Sequence, residues 1–130
     1  MVTQDDVRRI AMEFPGVVEG TDRFAFSVVN KGKEKAFAWV WLERLEPKKA
    51  RIPQPNVLAV RVGGEDDKDF LVHAAPEVFF TEPHYNGFPA ILIRLENIAV
   101  DQLETMLIEA WHYQAPKALI AEYAARQPAT

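Results

Sequence analysis

A chain of 130 residues, 48% hydrophobic and 26% charged, has the length and composition of one domain with one core, which excludes a disordered class. The absence of cysteine excludes a disulfide framework, a zinc–thiolate site and a cysteine nucleophile, and a net charge of −4 opposes strong general affinity for nucleic acid. The polar, acidic opening Met1-Val2-Thr3-Gln4-Asp5-Asp6 is unlike a secretory signal. The longest apolar runs, such as residues 36–42, fall far short of the roughly 20 residues that span a bilayer. A cytoplasmic protein with no membrane segment is therefore expected, with a monomer favoured.

Thr3 can cap a first helix, with Asp6 three residues on as a weaker form of the capping box. Val7, Ile10, Ala11 and Phe14 recur at helical spacing, and Pro15-Gly16 ends the helix. Residues 17–22 read as a turn into a strand over 23–29. Asn30-Lys31-Gly32-Lys33-Glu34 reads as a hairpin loop with Gly32 at positive φ. The returning strand, 35–42, puts Phe37, Trp39 and Trp41 on one face and Ala36, Ala38, Val40 and Leu42 on the other. Both faces are apolar, which suits the middle of a sheet.

Residues 43–56 hold Pro47, Pro53 and Pro55 among basic side chains, which predicts a long loop. A third strand over 57–62 alternates Leu58, Val60 and Val62 against Val57, Ala59 and Arg61, and Gly63-Gly64 ends it. Residues 66–74 predict a short helix closed by Pro76, with Phe70, Leu71 and Ala74 facing inward. Strands near 78–81 and 90–95 follow. In the second, Ile91, Ile93 and Leu95 share a face and Leu92 and Arg94 the other. Asp101 and Glu104 mark a helix whose stripe is Leu103, Met106, Leu107, Ala110, Trp111 and Gln114, and Pro116 opens a final helix to about residue 125. The order α-β-β-β-α-β-β-α-α, with short links between strands, predicts a single α+β domain with an antiparallel sheet of about five strands.

Several groups of side chains are candidates for function. Residues 31–51 carry Lys31, Lys33, Lys35, Arg44, Lys48, Lys49 and Arg51 against Glu34, Glu43 and Glu46, a local excess of four positive charges in an acidic protein. Such a segment suits phosphate contacts to DNA, or a solvated surface that protects a sheet edge. Arg61 and Arg94 lie on otherwise apolar strands, so each must be exposed, paired with a carboxylate such as Glu43 or Glu96, or bound to an anion. In the turn Pro83-His84-Tyr85-Asn86-Gly87-Phe88, His84 could carry a proton and Tyr85 could stack on a ring; as a purely structural corner it would bury Tyr85 and Phe88. Phe37, Trp39 and Trp41 could form a base-stacking platform, although core packing is the commoner fate of such residues. His73, His84 and His112 lack paired-ligand spacing, so neither a metal nor a cofactor is expected. Ser27 is the only serine, inside a strand, and Gly63-Gly64 runs into Glu65-Asp66-Asp67, which would repel a phosphate. No acid–base or nucleophile constellation can be assembled from spacing, so an enzyme is not expected.

The run 79–95, Phe79-Phe80-Thr81-Glu82-Pro83-His84-Tyr85-Asn86-Gly87-Phe88-Pro89-Ala90-Ile91-Leu92-Ile93-Arg94-Leu95, resembles the F-F-T-x-P-H-Y-[DN]-G-[FY]-P-x-[IV]-L-[IV]-R-L pattern of the MmcQ/YjbR proteins. Ala110-Trp111 and Ala115-Pro116-Lys117 match the same family. The resemblance covers nearly the whole chain and is strongest over 57–117. It implies a twisted antiparallel sheet with helices mainly on one side, and a DNA-binding role. Where many members carry a Trp-Gly-His-Pro-like stretch, this chain has Gly20-Thr21-Asp22-Arg23, so any role of that histidine is absent. Two functions are thus expected in competition. One is a non-catalytic DNA-binding module using 31–51. The other is a module for a small anionic ligand or protein partner, with a pocket near His84, Tyr85, Arg94 and Lys117, and with Arg61 as a further ligand residue.

Overall fold

The computed structural model describes residues 1–126, in the order α1 (Gln4–Ala11), β1 (Val17–Glu19), β2 (Ala25–Asn30), β3 (Lys33–Glu43), β4 (Ile52–Arg61), α2 (Glu65–Ala74), β5 (Phe79–Phe80), β6 (Ala90–Arg94), α3 (Val100–Gln114) and α4 (Lys117–Arg126). Short 3₁₀ turns cover Pro83–Tyr85 and Leu95–Asn97. The six strands form one antiparallel sheet, ordered β1-β2-β3-β4-β6-β5. The α+β class, the antiparallel sheet and the helical layer on one face are as expected.

That layer follows from the apolar stripes. Val7, Ile10 and Ala11 of α1 and Leu103, Met106, Leu107, Ala110 and Trp111 of α3 are buried against Phe26, Val28, Phe37, Leu58, Val60, Ile91 and Ile93 of the sheet. Phe14 joins them, with its ring 5.4 Å from Trp111. The Trp111 indole N–H donates to the Pro15 carbonyl at 3.2 Å, which satisfies the one polar atom of a fully buried side chain. At the far end of α3, the Gln114 amide donates to the Ala36 carbonyl and the Asn30 amide donates to the Gln114 carbonyl, each at 2.9 Å, which ties the helix to the β2–β3 hairpin. At the start of α1, the Asp6 carboxylate accepts the Thr3 N–H at 2.9 Å; that bond, with Arg9 beside it, holds the Asp6 carboxyl below its ordinary range.

Four expectations are corrected. Residues 17–19 pair with β2 as a sixth strand instead of lying in a turn; Gly16, at φ 75°, turns the chain out of α1 into that register. β3 runs on to Glu43 and β4 begins at Ile52, so the long loop shrinks to 44–51. Proline is tolerated in β4 because the register jumps from Val40↔Leu58 to Trp41↔Gln54, leaving Pro55 in a bulge, while β6 pairs only with the second half of β4 and leaves Pro53 on an edge. A second bulge, between Phe26↔Ala38 and Ser27↔Ala36, gives Phe37 no partner and turns it into the main core, while Trp39 and Trp41 pack on the opposite face. On α2 Leu71 packs on the core as expected and Lys68 also turns inward, but Phe70 is 71% exposed and Ala74 is exposed too. No helix among the described residues is long and apolar enough to cross a membrane.

Candidate functional site

The sheet face opposite the helices has its own small cluster. Ala59, Tyr85, Ala90 and Leu92 are buried there, with Trp39, Trp41, Val57 and Phe80 half-buried around them. The aromatic turn 83–88 folds over it through Tyr85. Tyr85 to Phe88 is a type II β-turn: Asn86 has φ −62° and ψ 127°, Gly87 has φ 79°, and the Phe88 N–H donates to the Tyr85 carbonyl at 3.0 Å. A side chain at Gly87 would be strained by that φ.

The turn is fastened to α2 by a buried charge. The Lys68 ammonium, on a side chain only 2% exposed, donates to the Tyr85 carbonyl at 2.6 Å and the Phe88 carbonyl at 3.0 Å. It lies 3.3 Å from the Glu65 carboxylate, and the same Glu65 oxygen accepts the Gly87 N–H at 2.9 Å. All three ammonium donors thus have acceptors, which is the condition for burying a lysine. Glu65 and Lys68 sit one helical turn apart, so a rigid element grips both ends of the β-turn.

Between the fastened turn, β3 and the loop before β4 lies a cleft of about 370 Å³ lined by Arg23, Trp39, Leu42, Arg51, His84, Tyr85 and Phe88. The Trp39 indole N–H donates to the Tyr85 hydroxyl at 3.1 Å, and the Trp39 and Phe88 rings meet edge-on with centroids 6.2 Å apart. The Arg51 guanidinium donates to the Leu42 carbonyl at 2.9 Å, which fixes it at the rim. Among the described residues no carboxylate lines this cleft, so two guanidinium groups and an imidazole face an aromatic wall. Trp41 Nε1 and Arg61 Nε on this face of the sheet, and Glu82 Oε1 just before the turn, are buried polar atoms without a partner among the described residues. Unpaired buried polar groups are rare and costly in folded proteins.

The predicted site residues divide. His84, Tyr85 and Arg51 meet in the cleft, Arg51 having been assigned to the DNA segment. Arg61 and Arg94 share the cleft's sheet face but do not converge, since Arg61 stands opposite Ala90 and Arg94 opposite Val57, about 13 Å along the strands. Neither pairs with Glu43 or Glu96. Arg94 lies 4.1 Å from the Phe80 ring centroid and donates to the Pro76 carbonyl, and Arg61 lies 5.9 Å from that of Phe88. Lys117 begins α4, whose Leu119, Ile120 and Tyr123 pack on the other face, so it does not join Tyr85. Phe88, expected to be buried in a structural corner, is 42% exposed.

The basic segment also separates. Lys31 and Gly32 form a two-residue hairpin turn, both at positive φ, with Lys33 and Lys35 beside it. Arg44, Lys48, Lys49 and Arg51 lie at the other end of β3, whose 11 residues span about 33 Å. Arg44 is occupied in shaping its own loop, donating to the carbonyls of Pro47 and Lys49. Reasoning from sequence missed Arg23, Lys68 and the cleft role of Trp39. For Lys68, the spacing Glu65-x-x-Lys68 was legible, but its acceptors come from a turn 17 and 20 residues away.

Three mycobacterial proteins align with almost the whole chain. They include uncharacterized protein Rv2570 of Mycobacterium tuberculosis and Mb2600 of Mycobacterium bovis, each 35% identical over 131 residues, spanning 96% of this chain and 98% of the relative. The chain belongs to their family. Its fold has a counterpart in the crystal structure of Deinococcus radiodurans protein DR2400, a DUF419 domain, with a TM-score of 0.69 over 95% of this chain and 89% of that one. At 20% identity the likeness is one of fold. No protein-family model matches the chain.

Proposed function

We propose that this family member is a non-catalytic cytoplasmic binding module that takes a small anionic ligand with a planar body into the cleft beside Tyr85. On the run 79–95 we also place the chain with the MmcQ/YjbR proteins. The observation that carries the ligand reading is the convergence of Arg23, Arg51 and His84 on an aromatic wall with no carboxylate among them. Guanidinium groups bind phosphate or carboxylate through paired N–H donors, and Trp39, Tyr85 and Phe88 offer ring contact to a flat group. The volume lies within the ordinary range for small-ligand pockets. The test is thermal shift and tryptophan fluorescence with a nucleoside monophosphate, the bare nucleoside and inorganic phosphate as probes. The monophosphate is expected to stabilise the protein more than either half does, with affinity falling about tenfold or more in Arg23→Gln, the loss of one charge-assisted hydrogen bond. No response to any probe, or the same response in Arg23→Gln, would sink the reading.

A second reading keeps DNA as the partner. The observation in its favour is that Lys31, Lys33, Lys35, Lys48 and Lys49 are all exposed, and none joins an ion pair among the described residues. Because they occupy two ends of β3, a duplex would have to lie along that strand to touch both groups. Anisotropy with a random duplex at about 50 and 200 mM salt separates the outcomes: six or more phosphate contacts predict roughly a thousandfold loss across that range. Binding that changes little with salt, or that survives in Lys48→Ala/Lys49→Ala, would set DNA aside.

A further inference from the structure

A larger concavity, about 690 Å³, lies between α2, α3 and α4 at the end of β4, away from the aromatic cleft. α2 contributes Asp67, Phe70 and Leu71, and α3 contributes Met106, Glu109 and Tyr113. On α2 these are i, i+3 and i+4; on α3 they are i, i+3 and i+7. Two helical stripes therefore face one groove. Phe70 continues the apolar face of α2, yet it is 71% exposed, and Tyr113 across the groove is 54% exposed. Exposed aromatics flanking an apolar floor are the usual anchors of protein interfaces.

The polar end of the groove is organised. Asp67 accepts the Gly63 N–H at 3.0 Å, and a Cβ at Gly63 would collide with the Asp67 carboxylate and the Tyr113 hydroxyl. The absent side chain lets both groups close over the backbone there. Asp67 and Glu109 line the groove together with Arg61, at the end of β4, and His112 of α3, and neither carboxylate has an ion-pair partner among the described residues. Glu65, Asp66 and Asp69 add negative charge along the same helix.

We infer that this groove docks an amphipathic helix of a partner protein, one whose apolar stripe packs on Phe70, Leu71 and Met106 while flanking lysines or arginines meet Asp67 and Glu109. The occupant is a basic helical segment because Asp67 and Glu109, with the further carboxylates of α2, outweigh the single charge of Arg61, and the walls have helical spacing. This site is independent of the cleft reading, since no residue lines both, although Arg61 of the groove also reaches toward Phe88 of the cleft.

The test uses a fluorescein-labelled helical peptide with leucines at i, i+3, i+4 and i+7 and lysines on both flanks, beside a copy carrying glutamates in place of the lysines. The lysine peptide is expected to bind, and the glutamate copy to bind at least about tenfold more weakly. Phe70→Ser is expected to weaken the lysine peptide by about tenfold or more, and Asp67→Asn/Glu109→Gln by a similar factor, with circular dichroism unchanged because Phe70 is exposed. Equal binding of the two peptides, binding of neither, or indifference to both variants overturns the proposal. Light scattering supplies the remaining arm. A concentration-dependent dimer that Phe70→Ser abolishes would assign the groove to a second copy of the chain, and would overturn it too.

Discussion

Replacing Lys68 with alanine is expected to destabilise the protein by about 3 kcal/mol and to loosen the cleft even where the fold survives. The substitution removes donors from the Tyr85 and Phe88 carbonyls at once, and it leaves a gap where the lysine stem packed. The cost stays below the upper range for broken buried ion pairs for two reasons. Glu65 is 55% exposed and can turn to water, and the Tyr85 carbonyl keeps its bond from the Phe88 N–H. For a domain of this size the loss corresponds to a fall in Tm of roughly 10 °C. Lys68→Met, which keeps most of the stem, separates packing from hydrogen bonding: a methionine variant close to wild type would mean that the stem matters and the ammonium does not. Hydrogen exchange gives the local reading, because the Gly87 and Phe88 amides should lose protection before those of β3 and β4. High salt should leave the wild-type clamp nearly unchanged, since a buried ammonium is poorly screened.

What the sequence made legible follows the range over which each signal acts. The α1 and α3 stripes, the hairpin at Gly32 and the turn at Gly87 are local, set by residues within one or two turns of each other, and the structure has each of them. The strand 17–19 was not legible, because a three-residue strand declares itself only through its partner, Val28-Ser27-Phe26. The faces of Phe37 and Trp39 were misassigned because period-two counting assumes an unbroken ladder, and a bulge of one residue sends everything beyond it to the other side. The basic segment looked like one patch because seven charges are close in sequence, yet an extended β3 carries its two ends about 33 Å apart. The cleft is the opposite case. Arg23, Arg51 and His84 are spread over 61 positions, and only the sheet order brings them to one rim. Lys68 combines both difficulties: a charge on a helix face reads as solvated, and nothing local announces that a distant turn will supply its acceptors.

Trp39→Ala is expected to weaken the anionic probe by about 10- to 100-fold, the loss of one ring's worth of stacking. It should also destabilise the fold by a few kcal/mol, since the indole is half-buried and its removal leaves the Tyr85 hydroxyl without a donor. Trp39→Phe distinguishes the two roles of that side chain. Phenylalanine keeps an aromatic edge toward Phe88 but deletes the indole N–H to Tyr85, so stability should fall by about 1 kcal/mol while affinity changes much less than in the alanine variant. Tyr85→Phe breaks the same hydrogen bond from the other side. A double-mutant cycle should therefore return a coupling near 1 kcal/mol between positions 39 and 85. If Trp39→Phe abolished probe binding as fully as Trp39→Ala, the hydrogen bond that orients Tyr85 would govern the site, and ring contact would be secondary. If neither variant changed the probe's affinity, while Arg23→Gln did, the anion would sit at the arginine rim without entering the aromatic cleft. The planar half of the ligand would then have no place in the proposal, because Trp39 is the ring that joins the wall of the cleft to the strand beneath it.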